Sequence, residues 1–151
     1  MIQKQFWCKE TIAKGDFRHI DSEPPTPFAR GQFTSIIGFS IVTHLTCELQ
    51  KRWMKELHEL LAEDGIIVLT THGEKAARLN GLSDRLEIEG IIDDRMDDTL
   101  GDIVPAGYYR STFQSRAWTE QTWGEYFDIL EYIDGGAFEL QDIFVLKKKK
   151  R

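Results

Sequence analysis

Residues 33–73 read FTSIIGFSIVTHLTCELQKRWMKELHELLAEDGIIVLTTHG, and this stretch decides the fold. Ile36, Ile37, Phe39, Ile41 and Val42 form a short, β-branched apolar run, which predicts a strand over 33–42 buried on both faces. Leu49, Trp53, Met54, Leu57, Leu60 and Leu61 then recur at helical spacing and lay one stripe along a helix. Arg52 with Glu56 and Lys55 with Glu59 are opposite charges four apart, and they predict pairs on its outer face. Thr46 suits the N-cap, Glu48 the positive first turn, and Gly65 a left-handed helix end. Residues 66–69, IIVL, read as a second buried strand. A helix crossing between two such strands is a right-handed βαβ unit, and ligands of open α/β sheets bind beyond the carboxyl ends of the strands. Those ends are Gly38-Phe39-Ser40, running into Thr43-His44, and Thr70-Thr71-His72-Gly73.

Outward from this unit, composition narrows the reading a little. The 151 residues are 41% hydrophobic, enough for the core of one domain, and the net charge of -6 disfavours nucleic-acid binding through a global positive field. Lys147 to Arg151 is the basic run, read as a solvated tail. Cys8 and Cys47 lack zinc spacing, so no metal is expected and both read as reduced thiols of a cytoplasmic protein. No apolar run approaches the roughly 20 residues of a membrane span.

Upstream, residues 1–14 have loose helical spacing, FRHI at 17–20 is a candidate strand ending at Asp21, and DSEPPTPFARGQ is a proline loop. Downstream, 74–81 predicts a short helix, and LSDRLEIEGIIDDRMDDTLGDIVPAG an acidic, irregular segment. A strand over 108–113, a helix from an N-cap at Ser115 to about Tyr126, and strands at 127–133 and 140–146 joined through Gly135-Gly136 complete the chain. His19 and His58 read as structural, with His58 on the helix exterior.

The order of FRHID, the proline loop, a strand finishing in FSIVTHL, an amphipathic helix and GIIVLTTHG resembles the middle of a class I S-adenosylmethionine-dependent methyltransferase. GYYRSTFQSRAWTEQTWGEYFDILEYIDGG followed by QDIFVLKKK resembles the same family's end. The resemblance covers about 17–149 and implies an α/β fold over 1–151: a truncated Rossmann-like sheet, mainly parallel, with a C-terminal antiparallel hairpin. Segment 74–107 becomes a lid or irregular insertion. The family's glycine-rich GxGxG turn, and the acid that follows it on the second strand, have no counterpart here; Gly15 and Gly31 are isolated. Without backbone that approaches the cofactor closely, weak or absent binding of S-adenosylmethionine is expected.

The resemblance also implies roles. Asp21, Phe39, Ser40 and His44 fall at cofactor-facing positions, and Thr71, Gly73, Tyr109 and Arg110 at the side of a small-molecule acceptor. His72 is the candidate general base, because an imidazole takes a proton near neutral pH. An open edge beside the strand at Phe33 predicts either cover by FRHI or a homo-oligomer. The alternative is a non-catalytic α/β module that folds and associates without turnover. An unrelated nucleotide-binding or response-regulator-like domain is disfavoured, since neither a phosphate loop nor an acidic phosphorylation cluster is present.

Overall fold

The computed structural model describes residues 7–8, 10–97 and 106–150. Its elements run β1 (Phe33–Gly38), a 3-10 turn (Val42–His44), α1 (Cys47–Leu60), β2 (Leu61–Thr71), α2 (Glu74–Leu79), α3 (Ser83–Glu89), β3 (Ile91–Ile92), β4 (Phe113–Gln114), α4 (Arg116–Trp123), β5 (Phe127–Ala137) and β6 (Gln141–Lys148). One sheet has the order β1-β2-β6-β5, and β3 pairs with β4 in a second. The β1–α1–β2 crossover is parallel, as predicted, whereas β2–β6 and β6–β5 are antiparallel. The α/β class and the C-terminal hairpin therefore stand, but the four-stranded sheet is mixed rather than mainly parallel, because the final hairpin supplies two of its three pairings.

The core lies on one face of this sheet. Val42, Leu45, Leu49 and Met54 from the turn and α1 pack with Ile67 and Leu69 of β2, Trp123 of α4, Phe127 of β5, and Phe144 and Leu146 of β6. Trp123 and Phe144 meet edge to face, 5.4 Å between ring centroids. Thr46 caps α1 by accepting from the Leu49 N–H at 3.2 Å, and Ser115 caps α4 by accepting from Trp118 N–H at 3.1 Å. Gln50, fully buried, donates through Nε2 to the Val42 carbonyl and to Gln114 Oε1, and Gln114 Nε2 donates to Thr119 Oγ1. This chain of amides joins four elements that share no backbone ladder.

Several expectations are corrected. The first strand stops at Gly38, not Val42: Ser40 takes a positive φ of 53° and the chain turns into the 3-10 segment. Nor is β1 buried on both faces, since Ile37 is 75% exposed. Gly65 does not end the helix. The helix closes at Leu60 and passes straight into extended chain, while Gly65 sits in a three-residue excess of β2 over β1 between the Phe33–Leu61 and Ser35–Ile66 pairings. A Cβ there would lie 2.6 Å from Leu61 Cδ1, so close approach, not handedness, selects glycine.

The charges of α1 reach outward instead of pairing along the helix. Arg52 pairs with Glu23 and donates to the Pro24 carbonyl, Glu56 accepts from the Thr26 N–H and hydroxyl, and Glu59 pairs with Arg30. They pin the proline loop to the helix. Residues 17–20 form no strand. His58 is buried rather than exterior: its Nε2 lies 3.1 Å from the Lys149 carbonyl, and its ring packs near Tyr126 and Phe127. The lysines at the C-terminus are not merely a tail, because β6 runs through Lys148, whose Nζ donates to the Leu61 carbonyl.

Segment 82–97 is more regular than its acidity suggests. Leu86 of α3 is buried with Ala76, Ala77, Ile92 and Phe113 in a second cluster, and Gly90 at φ 74° ends α3. The strand expected over 108–113 is confined to Phe113–Gln114, and the helix after Ser115 ends at Trp123, earlier than Tyr126. Residues 98–105, residues 1–6 of the predicted first helix, and Lys9 lie outside the described residues; within that helix Trp7, Cys8, Glu10 and Thr11 are helical.

Candidate functional site

The carboxyl ends of β1 and β2 lie side by side, as parallel pairing dictates. Beyond Gly38 the turn at Ser40 brings its N–H to Thr70 Oγ1 at 2.8 Å and its hydroxyl to 3.2 Å from Thr43 Oγ1. Gln141, at the start of β6, accepts from Thr70 Oγ1 at 2.6 Å and donates to Ser40 Oγ at 3.0 Å. The Ser40 and Thr70 hydroxyls are thus spent in holding the strand ends together. Phe39 turns away from this network, 47% exposed, and its ring meets Phe138 of the β5–β6 turn at 5.7 Å.

A second group gathers around His44 and His72. The segment leading into β4 is laced to the 3-10 turn: Arg110 N–H donates to the His44 carbonyl, Thr112 N–H to that of Thr43, and Thr112 Oγ1 to that of Leu45. This lacing places His44 Nδ1 2.8 Å from the Arg110 carbonyl and stacks its ring on Tyr109, 4.0 Å between centroids. His72 stands 6.3 Å away, edge to face, with Phe113 on its other side at 5.3 Å. Arg110 is turned back, its Nε donating to the Gly107 carbonyl at 2.7 Å.

The electrostatics single out His72. Burial holds its imidazole below the ordinary histidine value, His44 nearby pushes the same way, and a backbone hydrogen bond at Thr112 pulls back in part. Its Nδ1 is buried and has no hydrogen-bond partner among the described residues, as is also true of Thr71 Oγ1. A neutral imidazole with an unused buried nitrogen is suited to receive a proton or a hydroxyl.

Against Thr71 and Gly73 sits a residue that sequence reasoning missed. Asp142 is 1% exposed and pairs in register with Thr71. Its carboxylate accepts from the Tyr132 hydroxyl and the Gly135 N–H, both at 2.9 Å, and lies so close to Gly73 that a Cβ there would be 1.8 Å from Oδ2. Burial pushes the Asp142 carboxyl above the ordinary value, the Gly135 and Tyr132 hydrogen bonds opposing. A polar Gln141-Asp142 pair opening an otherwise apolar strand was the available signal. Gly73 is therefore occupied by packing against Asp142, which leaves its predicted acceptor-side role without direct support.

Of the predicted residues, the structure brings together His44, Thr71, His72, Gly73, Tyr109 and Arg110, with Ser40 joined through Thr43. Phe39 stands apart, and Asp21 lies exposed in the proline loop with no hydrogen bond or ion pair to Phe39, Ser40 or His44. The residues present do not by themselves fit S-adenosylmethionine. Among the described residues no GxGxG turn offers backbone to it, and the Ser40, Thr43 and Thr70 hydroxyls at the strand ends are already paired.

No family model matches the chain, and no curated protein matches it in sequence. Solved structures do share its fold. The PH0226 protein of Pyrococcus horikoshii OT3 superposes with a TM-score of 0.67 at 13% identity, over 98% of this chain and 66% of that one. A protein of Methanosarcina mazei described as a SAM-dependent methyltransferase superposes with a TM-score of 0.66 at 11% identity, over 99% of this chain and 79% of that one. The chain therefore has the class I methyltransferase fold, and it spans just under two thirds of the first neighbour's length.

Proposed function

We propose that this chain carries the acceptor side of an S-adenosylmethionine-dependent methyltransferase, with a small hydroxyl-bearing molecule as acceptor. The observation that carries the reading is His72, a neutral imidazole with a free buried nitrogen at the end of the strand where this fold binds ligands. A methylsulfonium is already a strong electrophile, so the protein's task is to align the acceptor, exclude water and, for a hydroxyl, receive its proton. His72 would receive it. His44, fixed through Arg110 and stacked on Tyr109, holds the wall of the site, and segment 74–97, packed on Phe113, frames it. Because Nδ1 is covered, the rim must open for an acceptor to reach it. The cofactor cradle is incomplete in the described residues, so the binding expected of this chain is weak and the test uses millimolar cofactor. The two unbridged cysteines, Cys8 and Cys47, support a cytoplasmic setting.

The test is transfer of labelled methyl from millimolar S-adenosylmethionine to a panel of small hydroxylated acceptors, comparing the chain with His72→Ala. Transfer that His72→Ala lowers a hundredfold or more supports the reading. A second reading, a non-catalytic α/β module, is favoured by the spent Ser40 and Thr70 hydroxyls. Transfer indistinguishable from buffer with every acceptor would select it.

A further inference from the structure

Among the described residues β1 pairs only with β2, so its outer edge presents unpaired backbone N–H and C=O groups. The far edge of the same sheet is guarded. There β5 carries Asp128, Glu131 and Asp134 and two register shifts against β6, features by which natural sheets discourage edge pairing. β1 has no such guard. FTSIIG contains neither charge nor proline, and the irregularity opposite it is an excess of residues in β2, so β1 itself runs straight. From Gly31 to Leu45 there is no Asp, Glu, Lys or Arg, in a chain that is 29% charged. Ile37, Phe39 and Ile41 along this strip are 75%, 47% and 57% exposed.

We propose that the occupant of this edge is a second copy of the chain, with the two β1 strands antiparallel about a two-fold axis and one sheet running continuously through both protomers. A two-fold axis sets a segment against itself, so any charge at its centre would face its like. Neutrality here removes that penalty, and the net charge of -6 makes an uncharged strip the surface where two copies approach most easily. Charge gives no handle here for a different partner. Pairing satisfies the exposed backbone groups and covers the Ile37 side chains in the same step.

Sedimentation velocity of the whole 151-residue chain over a wide concentration range, with amide hydrogen exchange, tests this. The expected result is a dimer in which β1 amides gain protection as concentration rises. Ile37→Lys should weaken the dimer at least tenfold without altering the melt, since that side chain is largely free in the single chain. Ile88→Lys, on α3 and 84% exposed, should leave the dimer intact. A monomer at every concentration would overturn the proposal and leave the edge to a strand from other polypeptide. So would a dimer that both variants leave equally intact, or one without added protection at β1.

Discussion

Gly73 and Asp142 occupy one another's space, and the consequence can be measured residue by residue. The φ of Gly73, -89°, suits any amino acid, so only the contact with Asp142 forbids a side chain. Gly73→Ala should therefore destabilise by more than about 2 kcal/mol, the cost of overpacking a rigid interior, and adding Asp142→Ala should recover part of it. Chemical denaturation of the single and double variants reads the coupling directly. Asp142 also has a pH signature. Its folded-state value is raised, so its contribution to stability is present below the ordinary carboxylate range and is lost as pH rises through the folded value. Asp142→Asn should lack that loss, so its melting temperature relative to wild type should climb from about pH 4 to pH 7. His72 has the opposite displacement. Its depressed value keeps it unprotonated to lower pH than an ordinary histidine, and any transfer activity should persist below about pH 6.5 and fall only in more acid solution.

At the scale of elements, α1 is held at its start by the Thr46 hydroxyl and the Asp93 carboxylate, and from Gln50 by a buried amide chain. Thr46→Ala should cost about 1 kcal/mol, the ordinary value of an N-cap, seen as a lower denaturation midpoint with unchanged slope. Gln114→Ala should cost about 2 kcal/mol, because in a buried interior it takes from Gln50 Nε2 one of its two acceptors and from Thr119 Oγ1 its donor, leaving each with a single bond, to the Val42 and Ser115 carbonyls. The elements were unequally legible in the sequence. Thr46, the Leu49-to-Leu61 stripe and Ser115 announced both long helices, because caps and periodicity are local. Ser40 was opaque: its positive φ is held by Thr70 and Gln141, thirty and a hundred residues away. Leu86 was hidden for a related reason. One buried leucine in an acidic stretch carries no periodicity, and only Phe113 and Ile92 in the folded chain explain it.

At the scale of the molecule, the sheet is covered on one face and bare at one edge. Ile36, Ile67 and Leu69 face the helices, while Ile37, Ile66 and Ile133 on the other side keep 75%, 40% and 40% of their surface. The open edge was foreseen from the strand order, since a strand with one partner advertises its loss of the other. Cover by FRHI was not obtained, because those residues run without a ladder. The site was legible where residues adjoin along a strand, as in Thr71-His72-Gly73, and illegible where register decides, as with Asp142 opposite Thr71. The proposed function requires the paired ends of β1 and β2 to be a ligand site of the methyltransferase kind. Amide chemical-shift mapping of the labelled chain against S-adenosylhomocysteine tests it most directly. Weak, saturable shifts confined to Gly38 through His44 and Thr70 through Gly73 are the predicted result; no shifts at millimolar ligand, or shifts centred elsewhere, would contradict it.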